Sequence, residues 1–116
     1  MIEPSRLKVR YKVWLEWDGT VFGEGLFKLL QLVHKTGSIS AAAREMSMSY
    51  RAAWGKIKKA QERWNVKLVE TKVGGDQGGG ASLTPSALEL INRYYKFQQQ
   101  VDDAITEIFK DNFIVK

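Results

Sequence analysis

Apolar residues keep two different rhythms along this chain. From Leu7 to Trp17 they alternate, with Leu7, Val9, Tyr11, Val13, Leu15 and Trp17 on one side and Lys8, Arg10, Lys12 and Glu16 on the other. A period of two predicts a half-buried β-strand. Trp14 interrupts it by setting a ring among the charges, so another segment or a second subunit is expected to cover that outer face. Asp18-Gly19 then signals a turn, and Thr20 to Phe22 returns as a short second strand. Past Gly23 and Gly25 the period lengthens. Leu26, Phe27, Leu30 and Val33 predict a helix over Leu26 to Lys35, which Gly37 stops.

Gly37 to Lys59, GSISAAAREMSMSYRAAWGKIKK, predicts two helices joined by a tight turn, a helix-turn-helix. The first is thin, with Ala42 and Ala43, and buries Ile39, Ala43 and Met46. Ser47-Met48-Ser49 breaks it, and Ser49 can cap the second helix by accepting from an orphan amide. On a wheel of about 100° per residue, Tyr50, Ala53, Ile57, Ala60 and Trp64 fall on one buried face. Arg51, Gly55, Lys58 and Lys59 fall opposite, with Ala52 just beyond. A glycine inside a helix costs about 1 kcal/mol relative to alanine. Keeping one suggests that the backbone must come close to something, and a base edge in the major groove would qualify.

Val66 to Val73 reads as a strand, Gly74 to Gly80 is GGDQGGG, and Ala81 to Leu83 resumes as a strand. Strand, glycine tip and strand after a helix-turn-helix describe the wing of a winged-helix domain. A nucleotide-cradling loop is rejected, because the Walker pattern needs Gly-Lys-Ser/Thr leading straight into a helix. Thr84-Pro85 then begins a last helix, expected to run to about Asp111. Leu90, Tyr94, Phe97, Val101, Ile105 and Ile108 form its apolar stripe, extended by Leu88, Ile91 and Tyr95. A helix of about 40 Å exceeds what so small a domain can bury. A homodimer about a twofold axis is the expected cover, with packing on the N-terminal strand as the alternative.

The expected fold class is α+β, mainly helical: one winged helix-turn-helix domain over 1–116. Residues 1–23 would form the N-terminal strand or hairpin, 24–84 the winged helix and 85–116 a dimerisation helix. The 116 residues suit a single domain. No apolar run could span a bilayer, and Met1 to Tyr11 lacks the apolar core of a signal peptide, so a cytoplasmic protein without membrane contact is expected. Without cysteine there are no disulfides or thiolate sites, and His34 is alone, so neither metal nor cofactor is expected. Scattered carboxylates and no nucleophile motif argue against an enzyme. The formal charge is +5, and Ser47 to Lys72, with seven basic side chains against two acidic, carries a surplus of that size. Such a focused field suits phosphate attraction.

GSISAAAREM, SMSYRAAWGKIK, VKLVETKVGGDQGGGASLT and the long last helix together resemble the N-terminal DNA-binding domain of ModE-type molybdate-responsive regulators. Ser49 to Trp54 looks like that family's SY[KR]xAW signature, and the helix-turn-helix is also similar to LysR-type regulators. The resemblance implies a homodimer on a palindromic operator of double-stranded DNA, the second motif helix in the major groove and the wing beside it. ModE-type regulators bind molybdate in domains beyond the long helix, so molybdate is not expected within this chain.

The expected function is a sequence-specific, dimeric transcriptional regulator. Ser38 and Ser40, with the amides that open the first motif helix, would hold phosphate. Arg51 would read a guanine, with Ser49, Tyr50 and Ala52 near base edges. Lys56, Lys58, Lys59 and Lys72 would neutralise phosphates, and Gln77 would reach base or backbone from the wing tip. The alternative is a protein-interaction module on the same scaffold, since fold does not dictate function.

Overall fold

The computed structural model describes residues 2–72 and 80–114. A hairpin of β1 (Leu15–Trp17) and β2 (Thr20–Phe22) is antiparallel, with Trp17 opposite Thr20. Asp18 (φ 52°) and Gly19 (φ 77°) are both left-handed, as a two-residue hairpin turn of matching twist requires.

The strand expected from Leu7 forms only in its last three residues. A ladder needs a neighbour, and β2 is three residues long, so the amides upstream of Leu15 have no strand to pair with. Residues 7–14 run instead as an extended strap along the last helix. The Tyr94 hydroxyl donates to the Val13 carbonyl at 3.0 Å, and the Tyr11 hydroxyl donates to Asp102. Leu7 and Val13 are half-buried, whereas Val9, Tyr11 and Trp14 stay exposed.

Three helices follow: α1 (Glu24–Thr36), α2 (Ile39–Glu45) and α3 (Tyr50–Trp64). Gly37 ends α1 at φ 73°, a left-handed stop that favours glycine. Ser38 caps α2 by accepting from the Ala41 amide at 3.0 Å, and Ser49 caps α3 by accepting from Ala52 at 3.0 Å. Strands β3 (Val69–Lys72) and β4 (Gly80–Leu83) pair antiparallel, Val69 opposite Leu83 and Lys72 opposite Gly80. The wing's first strand thus starts three residues later than Val66. Its glycine-rich tip, Gln77 included, lies outside the described residues. Helix α4 (Pro85–Phe109) is capped by Thr84, which accepts from the Ala87 amide at 3.2 Å, and its coil continues as a wider π turn over Lys110–Ile114.

One core joins these elements. Leu29, Leu30 and Val33 of α1, Ala42 and Ala43 of α2, Ala53, Ile57 and Ala60 of α3, and Ala87 of α4 are almost fully buried. Phe22, Phe27 and Tyr94 cluster at centroid distances of 4.8–6.4 Å. Tyr94, expected on the open stripe of α4, is 1% exposed and belongs to this core, so it is not available to a partner. The architecture is a mainly helical winged helix-turn-helix with a hairpin before it and a long helix after it. The molecule measures 63 × 27 × 20 Å, because the outer half of α4 projects as a stalk.

Candidate nucleic-acid interface

Helix α3 is held by one face. Ala53, Ile57, Ala60 and Trp64 recur every three or four residues and sink into the core, so the remaining arc is set by helical period. Arg51, Ala52, Gly55, Lys56, Lys58 and Lys59 are all exposed. A Cβ built on Gly55 would meet nothing within 4 Å, which leaves a strip of bare backbone in the middle of a cationic surface. Arg51 and Lys58 are seven residues apart, about 10 Å along the axis. Among the described residues the one ion pair is Arg93–Glu89, far from this arc.

Tyr50 departs from the wheel. Placed on the buried face by periodicity, it is 50% exposed, because it opens α3 one turn before Ala53 and projects past the end of the apolar layer. It therefore stands beside Arg51 at the head of the arc. Trp54, which the wheel left unassigned, is half-buried and packs against the core.

The turn that aims α3 is tightly made. Ser47 adopts φ 56°, the Met48 amide donates to the Ala43 carbonyl at 3.0 Å, and Met46 and Met48 rest on the core. Ser38 is half-buried with its oxygen taken by the Ala41 amide, leaving only its own hydroxyl proton to give away. Ser40 is exposed. Lys72 is exposed at the end of β3.

Two positioning groups are invisible to periodicity. The Gln61 side-chain oxygen accepts from the amides of Leu68 (2.8 Å) and Val69 (3.0 Å), fastening the wing to α3. The Trp64 indole N–H donates to the Trp17 carbonyl at 2.9 Å while the two indoles stack at 5.7 Å, fastening the hairpin to the same helix. A glutamine eight residues before a strand carries no signal by itself. The paired tryptophans could have suggested a stack, but only the hairpin turn brings them together.

Residues 25–88 match the model of the bacterial regulatory helix-turn-helix protein, lysR family. The chain belongs to that family. Among relatives of this lysR-family chain, the molybdenum-pterin-binding protein MopB of Rhodobacter capsulatus is 43% identical over 82 residues, 71% of this chain and 30% of that one. The DNA-binding transcriptional dual regulator ModE of Escherichia coli K12 is 35% identical over 82 residues, 68% of this chain and 31% of that one. The chain thus spans about a third of the length of these relatives. A crystal structure of the CbnR_DBD–DNA complex shares the fold, with a TM-score of 0.57 at 20% identity, covering 72% of this chain and 94% of that one.

Proposed function

We propose that this lysR-family chain is the DNA-reading part of a homodimeric, cytoplasmic transcriptional regulator without enzymatic activity. The observation that carries the reading is the uncovered cationic arc of α3, with bare backbone at Gly55 flanked by Arg51 and Lys58. A helix presented by a capped turn, with its opposite face locked in the core, is how a recognition helix is offered to the major groove. Residues 24–84 form the reading head and 85–116 the dimerising arm.

Arg51 is assigned to a guanine, since its fork suits the two acceptors of that base, with Ser49, Tyr50 and Ala52 near neighbouring edges. Lys56, Lys58, Lys59 and Lys72, with Ser38 and Ser40, are assigned to phosphates. Gln77 keeps its assignment to the wing contact on sequence grounds. On α4, Leu90, Phe97, Val101, Ile105 and Ile108 remain for the partner. Phe97 and Ile108 are exposed, and Val101 and Ile105 half-buried. Leu90 lines a cleft with Trp17 and Trp64.

Selection from a random duplex pool tests the reading. A palindrome is expected, with half-sites about one helical turn apart or a multiple of it. On the selected site Arg51→Ala costs about 1–3 kcal/mol and relaxes one position, while Lys58→Ala weakens all duplexes alike and lowers the salt slope by about one. No retardation of any duplex at low salt refutes DNA reading. Equal losses on selected and random DNA for Arg51→Ala refute the role given to that residue.

A further inference from the structure

A cleft of about 350 Å³ opens where the hairpin, the end of α3, the root of the wing and the start of α4 meet. Its walls differ in kind. Hairpin, α3 and wing root line it with apolar side chains alone, among them Leu15, Trp17, Phe22, Trp64 and Leu68. Phe22, Trp64 and Leu68 are buried and make a fixed floor, whereas Leu15 and Trp17 remain 40% and 56% exposed. Trp17 thus keeps more than half of its surface in water although it stacks on Trp64. All the polar side chains come from α4. Ser86, Glu89 and Arg93 share one face of that helix by their spacings of three and four, with Leu90 beside them. Arg93 and Glu89 are paired there at 2.9 Å.

Size and chemistry restrict the occupant. Ligand sites run from about 300 to about 1,000 Å³, so this one suits a single ring system rather than a nucleotide-sized cofactor. Two indoles and a phenyl ring in the walls favour a planar aromatic group. At the α4 wall an acid alone would meet Glu89, and an amine alone would meet Arg93. A group carrying both signs side by side can lie along the pair with each charge against its opposite. An aromatic α-amino acid has that make-up, with a ring at one end and ammonium and carboxylate on a single carbon at the other.

We propose that this cleft binds a free aromatic amino acid, its ring beside Trp17 on the floor of Phe22 and Trp64, its carboxylate on Arg93 and its ammonium on Glu89. The ring supplies most of the affinity and the charges select, because ion pairs as exposed as these are worth little in water. Leu68 and Trp64, which line the cleft, also carry the bonds that fasten wing and hairpin to α3. An occupant therefore braces the joint between reading head and stalk. None of the lining residues is assigned to DNA, so the site stands or falls independently of DNA reading.

The test is a titration of the full chain with L-phenylalanine, followed by proton–nitrogen NMR. The tryptophans report the position: the indole N–H signals of Trp17 and Trp64 should move, while those of Trp14 and Trp54, which lie outside the cleft, should stay. Saturation is expected with a Kd of about 1 mM or tighter, fitting for a ligand of about twelve non-hydrogen atoms. Movement led by Trp14 or Trp54, or no saturation by about 10 mM, overturns the proposal. 3-Phenylpropionate lacks the ammonium and phenethylamine lacks the carboxylate, so each should bind about threefold more weakly. L-Alanine, without the ring, should bind about tenfold or more weakly. Glu89→Gln should remove the preference over 3-phenylpropionate alone, and Arg93→Gln the preference over phenethylamine alone. Both positions are exposed, so thermal melts should stay close to the parent's. Equal binding of the three aromatic compounds, or preferences that neither substitution alters, overturns the proposal.

Discussion

A methyl group added at Gly55 has open space around it in the free protein, so its two effects can be measured apart. Gly55→Ala should raise stability to urea by about 1 kcal/mol, the ordinary gain of alanine over glycine within a helix. The same change should weaken binding to the selected duplex in a mobility shift, because it puts a side chain where a base edge would come. Unchanged affinity would remove the close approach from the mechanism. Tyr94 gives a test of another kind. Burial, and after it the negative charge of Glu24, raise its pKa above the ordinary 10.0. The folded state then holds the phenol proton more tightly than the unfolded chain does. Its contribution is whole below pH 10 and declines as pH rises past that value. Tyr94→Phe should cost about 0.5–1.5 kcal/mol at neutral pH for the lost bond to Val13, and should flatten the alkaline decline in thermal melts.

Among the elements, α3 is the hub, since Gln61 holds the wing and Trp64 holds the hairpin. Gln61→Ala leaves the amides of Leu68 and Val69 without their partner and should cost about 1–3 kcal/mol in denaturant unfolding. It should also loosen the wing, seen as faster hydrogen exchange at Leu68 and Val69 than at Ile57. Equal exchange at all three would mean that the wing is fastened by something else. The helices were legible in the sequence because their caps and periods are local: Ser38, Ser49 and Thr84 each hold the amide three residues on. The strap was misread because alternation in Leu7 to Trp17 records only an extended chain with one covered side. It does not say whether a strand or a helix provides the cover. Tyr50 and Tyr94 were misplaced for a related reason. A wheel gives direction but not depth, and whether a direction ends in core or in solvent depends on where the neighbouring elements stop.

As a whole, the molecule is far from spherical. Its radius of gyration is 18.1 Å, against about 13 Å for a compact chain of this length. The excess is the stalk, where Phe97, Ile108 and Phe113 are exposed beside the strap. Apolar surface held out on a rod has no inner core to retreat to, so association is the available way to remove it from water. The strap also brings the residues before it back beside the last turns of the stalk, since Ile2, Pro4 and Leu7 line one cleft with Phe109 and Phe113. A label carried at Ile2 or at Phe113 would therefore sit at a single pole, separated from α3 by most of the rod, and would leave the duplex unobstructed.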